Sequence, residues 1–241
     1  MTAMHPILLM PPRTVELRLA ARWQLAMRHP LRFMEHFVFT NRMFPDPEHP
    51  TRSLNRVEPA PVHKPLIRHL TNLWLTHREM VILKPRQVWI TWWMATLLVW
   101  SALASEYQLL VGQDKREKDV IGNEETGVGL LGKAKFILAH IPEAKRLGVW
   151  VEVTTTEIVF PRQHSVIMGI PQGGDIIRGK TATGVASDEA AMQEEFEQAF
   201  TAASACVRAG GWFLAVSTAG LVDGGFFRRL VQDLPDTQTQ A

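Results

Sequence analysis

The sequence predicts an α/β protein: a mainly parallel sheet flanked by helices, preceded by a helical N-terminal extension. Two observations carry this. Strand-like and helix-like segments alternate from residue 79 to residue 233, the pattern of parallel strands joined by right-handed crossovers. The residues with chemical potential also share one kind of position. The loop at residues 84–91, the pair Asp188–Glu189 and the pair Ser217–Thr218 each follow an apolar strand. Ligands of parallel sheets bind beyond the carboxyl ends of the strands, so all three groups are expected at one sheet edge.

Residues 13–44 set Leu17, Leu19, Trp23, Leu25, Met27, Phe33, Phe37 and Met43 among arginines. This spacing predicts one or two amphipathic helices, broken at His29–Pro30 because proline lacks the N–H a helix interior needs. The basic face (Arg13, Arg18, Arg22, Arg28, Arg32) reads either as solvated or as a surface for DNA or a neighbouring subunit. Residues 44–62, with Pro45, Pro47, Pro50, Pro59 and Pro61, read as an extended connection. A helix is expected over 64–76. The run 79–83 is uniformly apolar after Glu79, as in a strand buried on both faces.

A helix over 92–105, a strand over 107–112 and a mainly helical stretch to residue 141, interrupted by Gly122, Gly127, Gly129 and Gly132, follow. Strands are expected at 150–161 and 165–170, pairing across residues 162–164. Residues 183–187 lead into the acidic pair, 194–208 form a helix, 212–216 the last strand and 226–233 the last helix. The polar tail from residue 235 to residue 241 is expected to fray.

Of 241 residues, 46% are hydrophobic and 21% charged, which describes a globular chain. Net charge is only +2, weak support for nucleic-acid binding by itself. A single cysteine, Cys206, excludes an intrachain disulfide and a cysteine-based zinc site, and its small-residue surroundings predict a buried, inert thiol. No secretory signal is expected: residues 1–10 lack a basic n-region and run into Pro11–Pro12. The apolar run 88–104 approaches the length of a membrane span. Its short length, Thr91, Thr96 and Ser101, and its position between two strands favour a helix buried in an α/β core.

Adjacent carboxylates repel unless a cation holds them. In phosphoryl-transfer sites that cation is Mg²⁺ carrying a nucleotide, with one acid at the metal and the other positioning water. The upstream loop Lys84, Pro85, Arg86, Gln87, Val88, Trp89, Ile90 and Thr91 offers cations and a hydroxyl at a helix start, the needs of a phosphate loop. It contains no glycine, Trp89 is bulky, and Ile90 stands where a loop lysine is usual. A basic turn capping a core helix satisfies the same residues. Asp188–Glu189 likewise reads as an ordinary helix N-terminus with Ser187 as cap, Ser217–Thr218 as a turn cap, and Arg178 as a solvated loop charge.

Together these segments resemble the ATPase domain of the tailed-phage terminase large subunit. KPRQVWIT is similar to its Walker A segment, SDEAAM to its Walker B end and VSTAG to its coupling motif, while Asp175-Ile176-Ile177-Arg178-Gly179 resembles its R-G element. The resemblance covers roughly residues 30 to 232 and implies a P-loop NTPase of the ASCE type. It implies ATP and Mg²⁺ as ligands. Lys84 and Arg86 would contact phosphates within the loop 84–91, Thr91 and Asp188 would hold the metal, and Glu189 would orient water. Ser217 and Thr218 would sense the γ-phosphate, and Arg178 would act as an arginine finger in a neighbouring subunit. The adenine-side residue falls to His63 or Gln113.

The implied division is a helical or lid extension and Pro-rich link at 1–60, the ATPase domain at 61–234 and the tail at 235–241, without the usual nuclease domain. The implied partners are double-stranded DNA, a homo-oligomeric ring, a portal protein and a small terminase subunit, in the host bacterial cytoplasm. Two alternatives stay open: another nucleic-acid-stimulated, helicase-like ATPase, and a degenerate remnant whose glycine-free loop no longer hydrolyses ATP.

Overall fold

The computed structural model describes residues 12–48, 53–85, 89–173, 177, 181–218 and 225–233. Helices α1 (Pro12–Arg28) and α2 (Pro30–Phe37) open it. They break at His29, whose Nδ1 accepts from the Leu31 N–H at 3.2 Å, while Pro30 takes the first helical position, where no N–H is required. Strands β1 (Phe39–Pro45) and β2 (Ser53–Pro59) then pair antiparallel, Phe39 opposite Pro59 and Pro45 opposite Ser53. This corrects the expectation of helix to residue 44 and an unpaired link after it. Pro45 and Pro59 stand at strand ends, where a missing N–H costs the ladder least.

The remaining elements are α3 (Pro65–Thr76), β3 (Glu79–Lys84), α4 (Ile90–Ala104), β4 (Leu109–Asp114), α5 (Glu117–Ile121), α6 (Leu130–Ala139), β5 (Glu152–Val153), β6 (Glu157–Phe160), β7 (Ser165–Pro171), β8 (Gly184–Ser187), α7 (Phe196–Arg208), β9 (Trp212–Thr218) and α8 (Phe226–Asp233). A turn of 3₁₀ helix, Ala190–Met192, follows β8.

Seven strands form one sheet in the order β3-β9-β8-β4-β7-β6-β5. The five from β3 to β7 run parallel, and β6 and β5 extend the far side antiparallel. The β6–β7 hairpin closes where the sequence placed it, with Phe160 opposite Ser165. Because the first five strands are parallel, their carboxyl ends share one edge. β3 does not lie buried on both faces: it is paired with β9 alone, and Leu83 is 49% exposed.

Strand alternation divides the core. Leu110, Ala186, Leu214 and Val216 face one side, with α1–α4 and α6; Val111, Val185, Phe213 and Ala215 face the other, with α7 and α8. The apolar run at 88–104 resolves as the 15-residue α4, whose Trp93, Leu97 and Leu98 are fully enclosed. Its polar atoms are satisfied internally: Trp93 Nε1 donates to Thr71 Oγ1 at 2.9 Å, Trp100 Nε1 to the Ala26 carbonyl at 2.9 Å, and Thr96 Oγ1 to the Trp92 carbonyl at 2.7 Å. Among the described residues no helix is long and apolar enough to cross a membrane. The N-terminal helices join the same core through Ala26, Phe33, Met34 and Phe37.

Two glycines are structural necessities. Gly122 has φ 59°, and a Cβ there would lie 1.7 Å from the Val128 carbonyl oxygen. A Cβ on Gly184 would lie 2.3 Å from the Trp212 indole, which packs directly on the β8 backbone. Cys206 is buried as expected; its thiol donates to the Ala182 carbonyl at 2.7 Å, and burial pushes its pKa up.

Candidate active site

Register brings the predicted residues together. β3 aligns Lys84 beside Thr218 of β9, and β8 aligns Ser187 beside Ala215. The chain then turns at Asp188–Glu189 directly over the tip of β9. Glu189 has φ 46° and ψ 41°, a left-handed conformation that costs a non-glycine residue about 1 kcal/mol or more. The two acids therefore do not cap an α-helix. Glu189 is the bend itself and precedes only a 3₁₀ turn.

The bend is held by its contacts. Lys84 Nζ donates to Glu189 Oε1 at 2.9 Å and lies 3.9 Å from Asp188 Oδ1. Ser217 Oγ donates to Glu189 Oε2 at 3.4 Å; Thr218 gives its N–H to Oε2 at 3.2 Å and its hydroxyl to Oε1 at 3.2 Å. Asp188 Oδ1 accepts the Glu189 N–H at 3.0 Å, and the Thr91 hydroxyl favours the ionised form of its carboxylate. Lys84 and Asp188 are buried, Glu189 half-buried.

Electrostatics separate the two acids. Burial raises the Asp188 pKa; Lys84 and the Thr91 hydrogen bond oppose this without overcoming it, and the Glu189 charge adds to the rise. For Glu189 burial also pushes upward, but the Lys84 hydrogen bond and charge and the two Thr218 hydrogen bonds outweigh it, so Glu189 is held below the usual carboxylate range.

The loop is explained in part. Trp89 has φ −66° and ψ 14°, an ordinary right-handed conformation, and its ring packs against the main core. Nothing in the backbone at that position calls for glycine. Ile90 is the first residue of α4 and faces inward, Pro85 is exposed, and Arg86, Gln87 and Val88 lie outside the described residues, as does Arg178. Neither suggested adenine contact gains support. The Gln113 side-chain amide is fully buried and donates to the carbonyls of Pro171 at 3.3 Å and Gly173 at 2.9 Å; His63 is exposed in the turn before α3.

Two charged residues at this edge escaped sequence reasoning. Asp114 ends β4; burial pushes its pKa up to about 7, against the Lys115 N–H, with Asp188, Asp119 and Glu189 adding repulsion. The Lys133 ammonium lies 5.4 Å from the Trp92 ring centroid and donates to the Gly129 carbonyl at 3.5 Å. Burial lowers its pKa, and the charges of Asp188 and Asp114 raise it. The strand expected at 107–112 runs two residues further, so Asp114 was read as helix. Lys133 lay in a stretch read only for its glycines.

The same architecture occurs in a solved structure. Over 86% of this chain and 40% of the other, the structure matches the crystal structure of the HK97 bacteriophage large terminase, with a TM-score of 0.58 and 14% sequence identity. The chain has the fold of that terminase over the matched stretch. β9 stands between the loop strand β3 and the acid strand β8. This chain spans less than half the length of the HK97 terminase. The ATPase domain of the Thermus phage P74-26 large terminase also matches, unmodified and as a mutant, with TM-scores of 0.43 and 0.45, identities of 19% and 18%, and coverage of 63% of this chain and 62% or 63% of the other. No protein-family model and no curated protein matches the sequence.

Proposed function

We propose that this chain is the ATP-hydrolysing motor part of a phage DNA-packaging terminase. The observation that carries the reading is the contact of Lys84 with Glu189, residues 105 positions apart in the chain, at the sheet edge where Ser217 and Thr218 also end. Terminase-like architecture supports the motor role.

In this arrangement Lys84 neutralises Glu189. A triphosphate offers Lys84 a stronger anionic partner and releases Glu189 to accept a proton-bearing water. Because its pKa is depressed, Glu189 is ionised and ready to accept that hydrogen bond. Ser217 and Thr218, which hold Glu189 through three contacts, move or stay with it, and so report the state of the site to β9. Asp188 and Thr91 would supply hard oxygen donors, the Thr91 hydroxyl favouring the ionised form of the Asp188 carboxylate, a set that suits Mg²⁺, which takes few protein ligands and keeps its water. The bound ion would neutralise charge on the phosphates.

Arg178 acting as a finger into a neighbouring subunit of a ring, grip on double-stranded DNA through its phosphates, and docking to a portal protein and a small terminase subunit complete the reading. They rest on the likeness to terminases. The exposed Arg18, Arg22 and Arg28 of α1 are available for DNA phosphates or a neighbouring subunit.

The test is Glu189→Gln. Nucleotide affinity is expected to hold or tighten, and turnover to fall at least about 100-fold. Equal turnover by the variant rejects hydrolysis at this site. Binding to purified portal protein separates a packaging motor from a helicase-like ATPase.

A further inference from the structure

Behind the Asp188–Glu189 bend lies a buried polar cluster that the mechanism above does not use. Gln193, after the 3₁₀ turn, donates from Nε2 to Ser187 Oγ at 2.9 Å and to the Asp188 carbonyl at 2.8 Å. Gln113 of β4 accepts the Asp188 N–H on its carbonyl oxygen at 2.8 Å, and its side chain holds the carbonyls of Pro171 and Gly173. The Glu194 N–H, next in sequence to Gln193, donates to Gln172 Oε1 at 2.7 Å. Both the donor and acceptor groups of the Asp188 peptide are thus anchored from the side away from Lys84. The Gln113 side chain and the Glu194 N–H bind the turn at residues 171–173, which precedes Arg178 in the chain.

The glutamines carry a cost that points to purpose. Among the described residues, the buried Gln113 Oε1 and Gln193 Oε1 find no hydrogen-bond partner. An orphaned buried acceptor is unfavourable, and an apolar side chain of equal shape avoids the penalty. Residues kept only for packing would not be amides at both places. The N–H groups they direct at Ser187, Asp188, Pro171 and Gly173 are what an apolar residue lacks.

We propose that Gln113 and Gln193 are positioning residues that set the Asp188–Glu189 bend from behind and tie it to the 171–173 turn. They touch no substrate. The Gln193 side chain acts through the Asp188 carbonyl and the Gln113 side chain through the carbonyls of the turn, while the Gln113 main-chain carbonyl holds the Asp188 N–H. The proposal rests on the hydrolytic reading of the site for its activity readout and on geometry alone for its structural readout.

The experiment uses the near-isosteric variants Gln193→Met and Gln113→Met in the full chain. Thermal unfolding is expected to be modestly lowered, since each variant removes an orphaned acceptor but also gives up two buried hydrogen bonds. Nucleotide Kd should stay within about threefold while kcat falls roughly 10- to 100-fold. Amide hydrogen exchange should quicken at residues 188–189 in Gln193→Met, and at 172–173 in Gln113→Met. Should either methionine variant fail to fold, Ser187→Ala, which removes one of the two acceptors of Gln193, is expected to give a smaller change in the same direction. Folded variants with kcat within twofold of the parent, or with kcat and nucleotide affinity lost together, overturn the proposal. If the parent chain hydrolyses no ATP, the hydrolytic reading fails separately. Exchange then decides alone: unaltered protection at 188–189 in Gln193→Met overturns the positioning role, and quickened exchange upholds it.

Discussion

Lys84 and Glu189 meet at 2.9 Å, but the two sides of the site are built differently. The cationic side is one long side chain at the end of a straight edge strand. Its aim comes from register with Thr218. The anionic side is a strained bend at φ 46°, gripped in front by Lys84, Ser217 and Thr218 and behind by Gln113 and Gln193. In the proposed function the first side changes partner when nucleotide binds and the second is held still. A phosphate-binding lysine must move toward its ligand, whereas an acid that orients water works by being already in place.

The sharpest way to break this contrast is to remove the mobile side. Lys84→Ala leaves two neighbouring acids without their cation and a triphosphate without its partner. Nucleotide affinity is expected to fall at least about 100-fold by calorimetry, because a buried charge-assisted contact is lost. A Kd within threefold of the parent would mean Lys84 serves only Glu189.

Trp89→Gly separates loop from core. The ring packs against the main cluster from an ordinary backbone conformation. The change is therefore expected to cost about 2–3 kcal/mol in chemical denaturation, from lost packing and added chain entropy, with no gain in nucleotide affinity. A gain in affinity would reveal a loop obstructed by the indole.

Asp114→Asn probes the still side most gently. A carboxyl with a pKa near 7 holds, in the folded state, a proton that the unfolded chain releases near pH 4. Its stability contribution is therefore lost as pH rises from about 4 to 7, and its ionised form is most costly above pH 7. The asparagine variant should gain about 2 kcal/mol at pH 8, after allowance for partial solvent access, and nothing near pH 3. A gain independent of pH would assign the effect to packing instead.

Much of the fold was legible because apolar runs of strand length and helices with one apolar face have periods that a chain displays directly. The β1–β2 ribbon was not. Its prolines look like a linker until the pairing shows them at strand ends. The position of β3 was misread for a related reason: a uniformly apolar run suggests cover on both faces, but pairing with β9 alone leaves Leu83 exposed. Within the site, Lys84, Asp188, Glu189, Ser217 and Thr218 stood out because each sits just past an apolar run. Asp114, Lys133, Gln113 and Gln193 did not, since isolated polar residues in helix or strand carry no pattern until burial gives them consequence.

By itself, then, the order of residues determined which strands carry the reactive groups and that those groups leave the sheet at one edge, since parallel strands joined by crossovers must end on the same side. Only the tertiary structure decided that Lys84 turns to Glu189, that Trp89 turns inward, and that Gln113 and Gln193 stand behind the acids. Those outcomes depend on register, on a single left-handed residue and on which side chains lose water. Each arises from segments distant in the chain, and no local stretch encodes it.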